Sequence, residues 1–206
     1  ILQPIRLVFS HRALATMAVC SFMFSVVQMS LMTYLVTYLH DELMLTLVGA
    51  GLAMTLTQFG GVMGRVMWGY VADRWIKPLR MLSLLAITMS GTAMACAFFE
   101  VGTSALWFNA VLVVFGATAI GWNGVYLAEV ARQAPPGMAS VATGGTLAVT
   151  FLGVVFGSPL VGWISNATGT YRSGFIALSL LAFTCFSLLT WLSRGKKTPL
   201  ELKVPS

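Results

Sequence analysis

The chain has 206 residues, of which 58% are hydrophobic and only 9% charged, against about 25% charged residues in an ordinary soluble domain. So few polar groups cannot clothe a water-facing surface, and a mean hydropathy of +0.87 makes lipid the solvent for most of the chain. The formal net charge of +6 does not point to nucleic acid, because the basic residues fall in the gaps between apolar runs and form no single patch.

Six apolar stretches follow one another at roughly 13–38, 43–71, 81–99, 104–128, 138–164 and 173–193. Each reaches the roughly 17–25 residues that cross a hydrocarbon core. Lipid offers no partner to backbone N–H and C=O groups, so the spans must be helices or a closed barrel. Their length and lack of two-residue alternation predict helices. The expected fold class is an all-α membrane protein, a six-helix bundle over residues 1–193, with a polar tail over 194–206.

The chain opens on an amphipathic lead-in, ILQPIRLVFSHRA. It has no initiator Met and no signal-peptide pattern, and this abrupt start is expected of a fragment. The first span carries Gln28 near its middle, with Ser30, Thr33, Tyr34 and Thr37 following at helical spacing. The second carries Gln58 near its midpoint and Arg65 two turns later on the same face. An arginine inside a membrane helix costs roughly 2.5–3.5 kcal/mol on insertion scales. Two readings stay open for Arg65: a structural cation satisfied by a helix end or a loop carboxylate, or a cavity charge facing an anionic solute.

Gly60 and Gly64 in the second span, and Gly153 and Gly157 in the fifth, are four apart and predict close helix contacts. The fourth span gathers Trp122, Asn123 and Tyr126 in one half, with Glu129 at its end. Amides in hydrocarbon need partners, so Gln28, Gln58 and Asn123 are candidates for the wall of a solute pathway, with Tyr34, Arg65, Trp122 and Tyr126 beside them. Thr143, Thr146 and Thr150 form a stripe in the fifth span; hydroxyls there often bond their own backbone. Pro159 lies deep in that span and is expected to bend it. Pro135-Pro136-Gly137 separates the fourth and fifth spans.

Charge gives the sidedness. Arg6, Arg12, Arg74, Lys77, Arg80, Arg132, Arg194, Lys196, Lys197 and Lys203 fall in gaps on one side, and Arg172 alone falls on the other. Ten against one places both termini in the cytoplasm by the positive-inside rule. The three cysteines, Cys20, Cys96 and Cys185, sit far apart in apolar segments, where a buried small hydrophobe is the expected role. No metal site and no cofactor are expected.

Between the second and third spans the chain reads Gly69-Tyr70-Val71-Ala72-Asp73-Arg74, then Lys77 and Arg80. This resembles the cytoplasmic loop motif of the major facilitator superfamily, with Ile76 standing where the motif has Gly and Pro78 interrupting the basic pair. Gly144, Gly153, Gly157, Pro159 and Gly162 are similar to the family's fifth-helix glycine-proline pattern, with Ser158 intervening and Trp163 in place of a glycine. The resemblance implies one six-helix half of a twelve-helix transporter, around a site that opens alternately to each side. The degenerate loop motif resembles the copy usual in the C-terminal half, helices seven to twelve.

By the same resemblance, Asp73 and Arg74, with Gly69, Lys77 and Arg80, would form a cytoplasmic gate against the other half. The implied function is secondary transport of a small polar solute, for which Arg65 suggests an organic anion. This half has no midplane carboxylate, so Glu129 is its candidate proton-linked group. The implied partners are membrane lipid, the solute, and a second six-helix half or a second copy of the chain; a homodimer or a non-transporting assembly protein is the alternative. The implied location is a bacterial inner membrane. An enzyme is not expected: the only histidines, His11 and His40, lie at span edges, and no HExxH is present.

Overall fold

The computed structural model describes residues 2–195; the expected polar tail lies almost wholly outside the described residues. Eight helices follow one another: α1 (Leu2–Ser10), α2 (Arg12–Asp41), α3 (Leu47–Arg74), α4 (Pro78–Ala97), α5 (Ala105–Ala119), α6 (Asn123–Gln133), α7 (Ala139–Thr168) and α8 (Tyr171–Gly195). The described residues contain six spans long and apolar enough to cross a membrane, with α5 and α6 together making the fourth. The fold is the expected all-α six-span bundle, preceded by one short helix.

The spans associate mainly as three couples, α2 with α7, α3 with α5, and α4 with α8. α2 is the central member: 61% of its most apolar window is buried, against 33% for α3 and 22% for α7. Lipid exerts no hydrophobic drive between helices, so close backbone approach and hydrogen bonds hold the couples together. α3 meets α5 through a stripe of small residues, Ala50, Ala53, Thr57, Gly60, Gly61 and Gly64. A Cβ at Gly60 would collide with the Val113 carbonyl oxygen, and one at Gly64 with that of Ala117. α7 meets α2 in the same way. A Cβ at Gly153 would strike the Ser25 hydroxyl, and one at Gly157 would lie 2.8 Å from the Val26 Cα. Ser25 Oγ donates to the Thr150 carbonyl at 2.9 Å, and Thr150 Oγ1 to Ser21 Oγ at 2.8 Å. The threonine stripe thus serves partly its own helix, Thr150 Oγ1 also lying 3.0 Å from the Thr146 carbonyl, and partly α2.

At the end of the bundle away from the Asp73-Arg74 loop, one carboxylate ties three helices. Glu42, following α2, accepts from the Thr170 hydroxyl at 2.9 Å and from the Tyr171 backbone N–H that opens α8. Arg172 Nε stands 3.8 Å from Glu42 Oε2, and Arg172 Nη2 donates to the Phe99 carbonyl beyond α4 at 3.1 Å. The residue that stood alone in the charge count is therefore a structural cation. α7 stops at Gly169, whose φ of 73° is the left-handed conformation that ends a helix without a Cβ penalty. This allows the two-residue connection that brings Tyr171 onto Glu42. At the basic end, Pro78 opens α4 at a position where its missing N–H costs nothing.

Candidate functional site: a helix break facing Arg65

The fourth span is not one helix over 104–128. α5 stops at Ala119, Ile120, Gly121 and Trp122 form a turn, and α6 begins at Asn123. Gly121 permits the break by lying against α3, where a Cβ would be 3.0 Å from the Arg65 nitrogen and from the Gly64 carbonyl carbon, and would collide with the Ala117 carbonyl oxygen. A helix that ends inside a bundle leaves its last carbonyls without partners. Side chains from α3 meet two of them. Trp68 Nε1 donates to the Ala117 carbonyl at 2.7 Å, and Arg65 Nη2 reaches the Ile120 carbonyl at 3.4 Å. Asn123 Nδ2 also points at the Ile120 carbonyl, at 3.4 Å.

On the other side of the break stands Gln28. Its Oε1 accepts from Trp122 Nε1 at 3.1 Å and lies 3.4 Å from Asn123 Nδ2. Trp122 is fully packed, stacked on Phe24 at 5.1 Å and edge-on to Tyr126 at 5.3 Å. The indole therefore holds Gln28, while Gln28 and Asn123 remain half-buried and Arg65 is exposed. Gln28, Arg65 and Asn123, from three different spans, gather around the break, with the buried Trp122 beside Gln28. The beginning of α6 faces the same break, with the partial positive charge of a helix N-terminus.

Other sequence candidates lie elsewhere. Gln58 is exposed on α3 and has no hydrogen bond among the described residues. Tyr34 is six residues along α2 from Gln28, about 9 Å at 1.5 Å per residue. Its hydroxyl donates to the Ser158 carbonyl at 2.8 Å, in space left by Gly162. Tyr34 borders a separate cavity of about 470 Å³ with Ser165, Asn166, Thr170 and Tyr171. Pro159 lies on that cavity's wall and is exposed. Tyr126 is buried beneath Trp122, and its hydroxyl has no partner among the described residues. Glu129 is buried at the basic end, one turn further along α6.

In the Gly69–Arg80 segment, Asp73 is exposed and forms no ion pair among the described residues. The Arg74 guanidinium stands 5.3 Å from the centre of the Tyr70 ring, which Trp75 meets edge-on. Gly69 has open space around it. The helix break was not expected. Gly121 was its signal, but a lone glycine in a span reads equally well as a packing contact.

Known proteins match this architecture. A sequence model described as Major Facilitator Superfamily matches residues 1–151. A benzoate transport protein of Acinetobacter baylyi (strain ATCC 33305 / BD413 / ADP1) is 25% identical over 185 residues, covering 87% of this chain and 38% of the relative. Monocarboxylate transporter 13 of Rattus norvegicus is 24% identical over 175 residues, covering 76% of this chain and 40% of the relative. Among solved structures, the E. coli fucose:proton symporter FucP superposes with a TM-score of 0.76 at 15% identity, over 91% of this chain and 44% of the symporter. The chain thus spans about two fifths of the length of the curated relatives it matches. With the family match running over most of its spans and the fold shared, the chain belongs to the major facilitator superfamily.

Proposed function

We propose that this chain forms one half of the pathway of a secondary transporter that carries a small organic anion by alternating access. The observation that carries this reading is the Arg65 guanidinium, exposed at the α5–α6 break and held, among the described residues, only by a long contact to the Ile120 carbonyl. A cation in a membrane interior is costly unless it has work to do or a partner, and among the described residues this one engages a single N–H of the five donors that guanidinium carries. Asn123, Gln28 and the start of α6 add hydrogen-bond donors and positive potential beside it, a setting suited to a carboxylate. The benzoate and monocarboxylate transport proteins among its relatives bear names in keeping with that charge.

The polar part of the exposed α3 face requires a partner. Leu52, Leu56 and Phe59 on α3, and Phe151, Phe156 and Trp163 on α7, lie outside the bundle, while Gln58 and Arg65 on α3 are too polar for lipid. A second six-helix half, or a second copy of this chain, would cover the polar face. In this reading the basic end faces the cytoplasm, as the charge bias favours, the membrane is a bacterial inner membrane, and Asp73 with Arg74 act, as the family resemblance implies, as a gate against the partner half. Glu129 remains the candidate proton-linked group of this half.

The test is binding and uptake of benzoate, a short aliphatic monocarboxylate and a neutral sugar by the intact protein in vesicles. Arg65→Gln should weaken the anions at least about tenfold, the equivalent of 1.4 kcal/mol, and leave any neutral solute unaffected. Equal affinity of wild type and Arg65→Gln for every anion bound would overturn the reading.

A further inference from the structure

At the end of the bundle where Glu42 clasps the start of α8, Tyr34 of α2, the last turns of α7 and the α7–α8 connection border the cavity of about 470 Å³. That is a size typical of small-molecule pockets. Tyr34, Ser165, Asn166, Thr170 and Tyr171 give it five hydrogen-bonding side chains, and among the described residues no Asp, Glu, Lys or Arg lines it. Glu42 and Arg172, beside Thr170, already face one another at 3.8 Å. An ionic ligand would give up its water here without gaining a counter-charge.

The walls are set in advance. The Tyr34 hydroxyl donates to the Ser158 carbonyl at 2.8 Å and keeps its oxygen free to accept. Glu42 fixes the Thr170 hydroxyl at 2.9 Å and the Tyr171 N–H. The Tyr34 and Tyr171 rings, with centres 5.9 Å apart, add apolar faces between the polar groups. Ser165 is 5% exposed, lines the cavity, and its hydroxyl has no partner among the described residues. Tyr34, Ser165 and Tyr171 also line an adjoining space of about 10 Å³, the room of roughly one water. The buried Ser30 hydroxyl borders that space and is likewise without a partner among the described residues. Buried hydroxyls are rarely left in that condition.

We propose that this cavity binds a small uncharged ring compound bearing several hydroxyl groups. Ser165, Asn166 and the Tyr34 oxygen meet hydroxyls that both donate and accept, and the tyrosine rings cover the C–H face of the ligand. A ligand with a single polar head would leave most of these groups unmet. The site is distinct from the α5–α6 break: Tyr34 is about 9 Å along α2 from Gln28, and no residue of the break lines the cavity.

Equilibrium dialysis of the intact protein in detergent against labelled myo-inositol tests the proposal. Wild type should bind it saturably, and inositol monophosphate should compete at least about fivefold more weakly than unlabelled myo-inositol. Asn166→Ala, a change at an exposed position, should weaken binding at least about fivefold, the effect of roughly one hydrogen bond. Ser165→Ala should weaken it in the same direction. Arg65→Gln should bind as wild type does, which separates this cavity from the anion site at the break. Absence of saturable binding by wild type, a measurement that needs no variant to fold, overturns the proposal. Wild-type affinity in folded Asn166→Ala and Ser165→Ala proteins does so as well, and so does loss of binding in a folded Arg65→Gln protein.

Discussion

The Trp122 indole donates to the Gln28 side-chain oxygen at 3.1 Å, joining the middle of α2 to the turn between α5 and α6. Interhelical hydrogen bonds in membranes average about 0.6 kcal/mol and reach about 1.7. Gln28→Leu should thus lower the melting temperature by only a few degrees, since 1 kcal/mol corresponds to roughly 2–4 °C at this chain length. Solute affinity should fall further than that, because Asn123 Nδ2 loses the same acceptor and keeps only its long contact to the Ile120 carbonyl. Thermal unfolding and solute binding measured on the same preparation check the pair of effects. A large loss of stability with affinity intact would make Gln28 a packing residue.

The two glycine pairs are expected to be intolerant of any side chain. A Cβ at Gly60 or Gly64 meets backbone of α5, which cannot swing aside as a side-chain tip can. Gly64→Ala should cost about 1–3 kcal/mol or more through overpacking, whereas Gly69→Ala and Gly144→Ala, which have open space around them, should be near neutral. Folded yield in detergent, measured by size-exclusion chromatography, should fall for the first and not for the other two.

Glu42 is predicted to be a stability residue without a part in solute binding. Glu42→Ala removes the acceptor of the Tyr171 N–H and of the Thr170 hydroxyl and leaves Arg172 with the Phe99 carbonyl alone. A loss of about 1–3 kcal/mol is expected for the groups left unpaired. Glu42→Gln, which keeps an acceptor oxygen, should recover part of it. Melting temperatures of the two variants should rank in that order, with solute affinity unchanged in both.

Asp73 lies exposed with no ionic partner among the described residues, as a group that engages a second half would. Asp73→Asn should slow transport by shifting the population between two states a few kcal/mol apart, while leaving solute binding intact. Wild-type transport rates for that variant in reconstituted vesicles would remove the gate from Asp73.

How much of this could be read before the fold was known follows from what each feature depends on. Six spans were legible because lipid imposes a length and a composition on any segment that crosses it. The small-residue pairs were legible for a related reason: with no hydrophobic drive, helices must approach closely, and only glycine permits the approach seen at Val113 and Ala117. Gln28, Arg65, Trp122 and Asn123 stood out singly as polar groups at depth. Their convergence was not legible, because it depends on α5 ending at Ala119 and on α3 supplying Arg65 and Trp68 to the freed carbonyls. Tyr34 and Gln58 had equal claims by residue type, and the fold sends both elsewhere.

By itself, then, the amino-acid order determined the class of solvent around the chain, the number of spans, and the end of the bundle at which the positive charge gathers. These depend on transfer energies of residues taken one at a time. Tertiary structure alone decided which polar groups meet: the helix break that turns Arg65 toward Ile120, the pairing of Gln28 with Trp122, and the burial of Glu129 beside Lys77, Arg80 and Arg132. Those are contacts between residues up to 94 positions apart, and no local preference of either partner encodes them.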